Sequence, residues 1–337
     1  MAPTTLQDVA DRAKVSIRTV SNVVSGYEHV SDRMRLRVQK AIDELNYRPN
    51  IVARTLRTGR AGVLALVVPE IDVPYFGELA RNVINAAADC GYRVIIDQTG
   101  HDHQREGQWL VGGNQMMLFD GVLFSPLVNA AQAAEMESKS HAPIIILGEY
   151  KFNGKFDHVA IDNVQAAFDA TQHLIDLDRS KIAAIGEQPL EPYETPQLRT
   201  KGYLAALKKA GISPNPLYIR PAIHYHREDG YAATKELLNL KDRPDAIFCY
   251  SDLLAMGALR AIFEAGLRVP EDIAVIGIDD IEEGQYSRPA LSTISLDTRF
   301  IALRAIERLV ARINDPNLGA EEVVAPHVLK IRESTVR

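Results

Sequence analysis

From Gly62 onward the chain alternates short apolar runs with longer amphipathic stretches, and this alternation constrains the fold more than any other feature. The runs Val63–Val68, Arg93–Asp97, Gly121–Phe124, Ile144–Leu147, His158–Ile161, Lys181–Ile185, Leu217–Ile219, Ala246–Cys249 and Ile273–Ile278 have the length and composition of strands. Helical stretches lie between most of them, among them Gly77–Asp89, Val164–Ile175, Arg199–Ala210, Asp229–Leu240 and Leu253–Ala265. Such alternation makes parallel sheets with helices on both faces. The runs are too many for one modest sheet and the cycle restarts near Asp162, so two lobes are expected. A late strand (Ser292–Leu296), a helix (Phe300–Ile313) and closing strands (Val323–Val324, Val328–Ile331) are left to cross back and complete both. The expected first lobe is about 62–161 plus 293–322, the second about 162–292 plus 323–337.

The first 60 residues read differently. Leu6, Val9, Ala10 and Ala13 recur at helical spacing, and Ser16 is placed to cap a second helix burying Val20, Val23 and Val24, ended by Gly26. Ser31 caps a third helix with Met34, Val38, Ala41, Ile42 and Leu45 on one face, stopped near Tyr47 by Pro49. Asn50 can cap a very short fourth helix, Ile51–Arg57. This segment carries eleven Lys/Arg against six Asp/Glu, so the formal charge of −6 divides into +5 here and −11 in the remainder. A basic head on an acidic body fits a head that meets a polyanion. Two helices joined by a tight turn are a helix-turn-helix candidate, with Ile17, Arg18 and Asn22 suited to base edges. A plain three-helix capping domain has the same pattern.

Composition removes other classes. With 46% hydrophobic and 24% charged residues the chain is globular. No apolar run approaches the ~20 residues of a membrane-spanning helix, and Met1–Thr5 carries no export signal, so no membrane association and a cytoplasmic location are expected. Cys90 and Cys249 lie far apart and make no disulfide framework. His101-Asp102-His103 and His224-Tyr225-His226 lack the Cys/His spacing of a zinc site and read as solvated loops, so no metal is expected. Neither a nucleophile–base–oxyanion set nor a phosphate loop is present, and no enzyme activity or cofactor is expected.

Thr5-Leu6-Gln7-Asp8-Val9-Ala10, Ala13-Lys14-Val15-Ser16, Thr19-Val20-Ser21-Asn22-Val23 and Leu45-Asn46-Tyr47-Arg48-Pro49-Asn50 closely resemble the head of the lactose-repressor (LacI/GalR) family of bacterial transcription regulators. The resemblance runs on through Ala53-Arg54 and Leu56, Asp162-Asn163, Arg199 with Gly202-Tyr203, and Ser251-Asp252 with Ala255-Met256-Gly257-Ala258. It ends with Ile276-Gly277-Ile278-Asp279-Asp280 and Ile331-Arg332-Glu333-Ser334-Thr335. It implies a helix-turn-helix domain over 1–49, a hinge helix and linker over 50–61, and a two-lobed α/β periplasmic-binding-protein-like domain with parallel sheets over 62–337. It further implies a homodimer on a pseudo-palindromic operator in double-stranded DNA, repressing carbohydrate-use genes under a sugar-like effector. The DNA contacts implied are Thr5, Leu6, Ser16, Ile17, Arg18, Thr19, Ser21 and Asn22, with Asn50, Ala53, Arg54 and Leu56 from the hinge. Leu56 is implied as a wedge between central base pairs; unaided, its residue type reads as a core leucine.

For the effector the resemblance implies Arg199 as a bidentate fork, Asp279 as an acceptor at a strand end, Tyr75 and Phe76 as aromatic contacts, and Ser125 on the same rim. Tyr225 stands nearest to a family tryptophan. Ser251 and Asp252 replace the family's usual Asn-Asp pair, and Asp252 either touches the ligand or caps its helix. A purine or phosphorylated metabolite is the alternative effector. A solute-binding receptor, which shares the body fold, has no use for a basic head.

Overall fold

The computed structural model describes residues 4–24, 27, 29–47, 60–100, 102–110, 118–126, 142–148, 156–188 and 194–336. The chain divides into two units, Met1–Ala61 and Gly62–Arg337.

The first unit holds α1 (Leu6–Ala13), α2 (Ile17–Val24) and α3 (Asp32–Glu44). Thr5 and Asp8 cap α1 reciprocally, the Thr5 N–H donating to Asp8 at 2.7 Å and the Asp8 N–H to Thr5 Oγ1 at 3.3 Å. The Thr5 N–H, then its hydroxyl, hold the Asp8 carboxyl below the usual range. Lys14 makes the turn at φ +50°, and Arg37 of α3 donates to its carbonyl at 2.6 Å. Ser16 Oγ accepts from the Thr19 N–H at 3.1 Å, the cap its sequence position predicts. Val9, Val20 and Val38 are wholly buried. Each is worth about 1.5–3 kcal/mol, which holds together helices too short to persist alone.

In the second unit β1 (Val63–Val68), β2 (Arg93–Gln98), β3 (Gly121–Phe124), β4 (Ile144–Leu147), β5 (Asp157–Ile161) and β11 (Glu322–Ala325) form one six-stranded sheet. Its order is β11-β5-β4-β3-β1-β2, every pairing parallel. The other sheet holds β6 (Ile182–Glu187), β7 (Ile219–Pro221), β8 (Ala246–Cys249), β9 (Ala274–Asp279), β10 (Ser292–Leu296) and β12 (His327–Lys330), in the order β12-β10-β9-β8-β6-β7. Only β12 runs antiparallel, against β10. β1 shows why the apolar runs are unbroken. Leu64, Leu66 and Val68 pack beneath α4 (Pro74–Asp89) and α11 (Thr298–Asn314), while Ala65 and Val67 pack toward Trp109 of α5 (His103–Leu110). α11 seats so closely on the first sheet that a Cβ at Gly121 would lie 2.6 Å from Leu309.

Helices α6 (Asn163–Asp176), α7 (Glu194–Lys209), α8 (Arg227–Leu238), α9 (Asp252–Glu264) and the short α10 (Glu282–Tyr286) belong to the second lobe. The chain passes between lobes at Asp162, Asp297 and Pro326. Both aspartates cap the helix that follows, Asp162 accepting from Gln165 N at 2.9 Å and Asp297 from Phe300 N at 2.8 Å. The expected lobe limits need correction at 293–296 and 323–325, Ser292 and Glu322 lying where expected. Residues 292–296 lie in the second sheet, Ser292 to Ser295 pairing with Ile276 to Asp279. Residues 322–325 lie in the first, Glu322 to Ala325 pairing with His158 to Ile161. β10 joins its sheet with polar residues facing inward because each has a partner: Thr293 bonds Asp252 at 2.7 Å and Ser292 bonds Thr335 at 2.7 Å. Among the described residues no helix is long and apolar enough to cross a membrane.

Candidate functional site

The ends of the strands in both lobes border a cavity of about 210 Å³, the usual place for a ligand in such sheets. Seven of the eight residues expected at an effector line it: Tyr75, Phe76, Ser125, Arg199, Tyr225, Ser251 and Asp279.

The first lobe supplies mostly apolar surface. Tyr75 and Phe76 open α4, where Pro74 starts the helix without needing an N–H partner. Their rings meet edge to face, centroids 5.1 Å apart. Ser125 follows β3, and Leu147 and Ile161 complete the wall, with Leu296 at the end of β10 beside it.

The second lobe supplies the polar groups. Arg199 is only 6% exposed; its Nε donates to Asn163 Oδ1 at 2.6 Å and its Nη1 to the Tyr250 carbonyl. A bidentate grip is therefore left to the Nη1–Nη2 end. Tyr225, in the left-handed region at φ +57°, donates its hydroxyl to the Gly186 carbonyl at 2.6 Å. Ser251 caps α9, its Oγ accepting from Leu254 N at 3.3 Å. Asp279 ends β9 at φ +125° and Asp280 follows at +60°, conformations that cost on the order of 1–3 kcal/mol each outside glycine. Burial pushes the Asp279 carboxyl up to about 7, against the opposing pull of the Arg199 charge and the Asp252 N–H.

Asp252 is the correction. It lies outside the cavity lining and is not the cap. Its carboxyl, 1% exposed, accepts from Thr293 Oγ1 at 2.7 Å and Ile281 N at 3.0 Å. Burial and the neighbouring Asp279 raise its pKa well above the ordinary range.

Sequence reasoning missed Asn163 as the orienting partner of Arg199, and Gln188, which lines the cavity and donates to Ala222 O at 2.8 Å and Ile223 O at 2.6 Å. It also missed Glu70. This first-lobe carboxylate meets His226 Nε2 of the second lobe at 2.8 Å, so one histidine of the triplet read as a solvated loop bridges the lobes, and His224 lines the cavity. Among the described residues no group of His, Cys, Asp or Glu is arranged to hold a metal.

In the first unit Thr5, Ser16, Ile17 and Arg18 are exposed, and Leu6, Thr19 and Asn22 are half-buried. Ser21 is buried, at 8% exposure. Asn50, Ala53, Arg54 and Leu56 lie outside the described residues.

Comparison with known proteins matches residues 5–50 to the bacterial regulatory proteins of the lacI family and residues 171–335 to a periplasmic binding protein-like domain. The transcriptional repressor CytR of Escherichia coli K12 is 34% identical over 98% of this chain and 96% of its own length. The ribose operon repressor of Haemophilus influenzae is 34% identical over 98% of each. The crystal structure of the lac repressor dimer bound to operator and the anti-inducer ONPF superposes with a TM-score of 0.88, at 26% identity over 99% of this chain and 100% of that one. With a helix-turn-helix head, a two-lobed body around a cavity and repressors alike along nearly the whole length, the chain belongs to the lacI family of bacterial regulatory proteins and is a DNA-binding transcriptional regulator under effector control.

Proposed function

We propose that this regulator is a cytoplasmic homodimeric repressor of carbohydrate-use genes, relieved or engaged by a sugar-like effector held between the lobes. The observation that carries the reading is the cavity's two-sided chemistry. Arg199, Gln188 and Asp279 face the aromatic and aliphatic wall of Tyr75, Phe76 and Leu147, which suits a ring with hydroxyls on its edge and C–H groups on its face. Arg199 shares the cavity with two carboxyls, Glu70 and Asp279, which weighs against a phosphorylated ligand. The Tyr75–Phe76 pair favours a second reading, a nucleoside or purine base.

In the head, α2 reads one half of a pseudo-palindromic operator through Ile17, Arg18 and Asn22, with Thr5, Leu6, Ser16, Thr19 and Ser21 toward the backbone. The family resemblance supports Asn50, Ala53, Arg54 and Leu56 as the hinge, with Leu56 wedged at the operator centre. Effector binding acts by favouring one arrangement of the lobes over another, and the coupling is reciprocal.

Selection of random duplex DNA by the purified protein, at one stated moderate salt concentration, tests the reading. A two-fold symmetric motif with a central CpG step is expected. Enrichment without two-fold symmetry overturns the dimer. Calorimetry with pentoses, disaccharides, nucleosides and sugar phosphates then separates the effector classes, and binding of sugar phosphates alone overturns the neutral-sugar reading.

A further inference from the structure

The Asp279–Asp280 corner places two consecutive non-glycine residues at positive φ, a pairing that persists only where its surroundings over-determine it. The surroundings here are specific. The Asp252 N–H donates to the Asp279 carboxyl, and Asp252 Oδ2 accepts from the N–H of Ile281, the residue that leaves the corner, at 3.0 Å. Asp252 Oδ1 accepts from Thr293 Oγ1 at 2.7 Å, and that hydroxyl lies 3.4 Å from the Asp280 N–H. From the other side Arg332 Nη2 donates to Asp280 Oδ1 at 2.6 Å, while its Nη1 donates to the Leu291 carbonyl at 2.8 Å. Both ends of the corner are thus tied, one to the start of α9 and one to the closing segment of the chain.

A buried carboxyl without a cation beside it is a poor stabiliser. Asp252 has neutral partners, lies outside the cavity lining, and fits only because residue 277 is glycine: a Cβ there would lie 2.1 Å from Asp252 Oδ1. Its position makes geometric sense as a brace.

We propose that Asp252 and Arg332 are positioning residues that hold the Asp279–Asp280 corner in its left-handed conformation and so present the Asp279 carboxyl to the cavity beside Arg199. The proposal rests on the effector-cavity reading for its purpose, but its geometry is tested without any effector. Asp252→Asn keeps an acceptor for the Ile281 N–H and gains a donor for Thr293 Oγ1; Asp252→Ala removes both bonds. Crystal structures of the full-length variants are expected to retain positive φ at 279 and 280 in D252N, and to lose it at 279 in D252A with the Asp279 carboxyl turned from Arg199.

Arg332→Gln and Thr293→Val, which remove one tie each, serve as further variants if D252A does not fold, and displacement of Asp280 is expected in both. As a second readout, the part of the pH dependence of unfolding that Asp279→Asn abolishes is expected to survive in D252N and to shrink in D252A. An unchanged corner in D252A, or in both single-tie variants, overturns the proposal. Failure to find a sugar ligand leaves these structures unaffected and falls on the effector reading instead.

Discussion

The two walls of the cavity are made by different physical means. The first-lobe wall is built from the ends of unstrained elements: Tyr75 and Phe76 stand in the first turn of a helix, and Leu147 and Ile161 end strands that are buried throughout. The second-lobe wall is built from constraint. Tyr225 and Asp279 hold positive φ, Arg199 is fixed by Asn163 and the Tyr250 carbonyl, and Gln188 spends its amide on two carbonyls. An apolar wall tolerates small displacements because contact has little direction. A hydrogen-bonding wall does not, so its side chains are fixed before a ligand arrives. Selectivity is therefore expected from the second lobe, and general affinity from the first.

Substitutions on either wall test that division. Arg199→Ala is expected to cause the largest loss, about 100-fold or more in effector affinity, since it strips a charged donor and leaves Asn163 and a buried carbonyl unpaired. Operator binding without effector should persist, and anisotropy titrations of a labelled operator duplex with and without effector read both. An effector response retained by R199A would move the site elsewhere. Tyr75→Ala or Phe76→Ala should cost about 10-fold each, weakening preferred and non-preferred ligands alike in calorimetry. A change in ligand order would break the comparison.

The pH effect should be smaller. The Asp279 pKa is about 7 in the folded protein and near 3.9 in the unfolded chain. The unfolded state thus sheds this proton first. The Asp279 contribution to stability is fully present below about pH 4 and is lost as pH rises through about 7. Unfolding midpoints of wild type and Asp279→Asn across that window should differ in slope with this sign. Glu70→Gln, which weakens a partly exposed contact to His226, should shift effector affinity by only about 2- to 5-fold, read by the same titration.

The apolar strands were legible because burial on both faces leaves an unbroken signature, and β3 and β4 fall at the expected residues. β10 was legible as a strand but not as to its sheet: Ser292 and Thr293 are buried by partners that lie 43 and 41 residues away, respectively. In the cavity, the residues read from family motifs came together, but the motif Ser251-Asp252 joined two neighbours with different duties. Ser251, the cap, has extended backbone at φ −147° and ψ 162°, while Asp252 is the first helical residue; that change of backbone conformation separates a cavity-lining side chain from one buried against Thr293. The bridge from Glu70 to His226 spans 156 residues, and no local pattern announces it.

The three passages between lobes bear on how the chain is made. Synthesis runs from the first residue, yet the first sheet gains its edge strand only with β11 and the second only with β12. α11, which covers β3, β4 and β5, comes after the whole of the second sheet except that last strand. An emerging chain must therefore carry the first lobe with an open apolar face until some three hundred residues have left the ribosome. A chain stopped before Glu322 lacks the last edge strand of both sheets at once, so a single late stop strikes both lobes together.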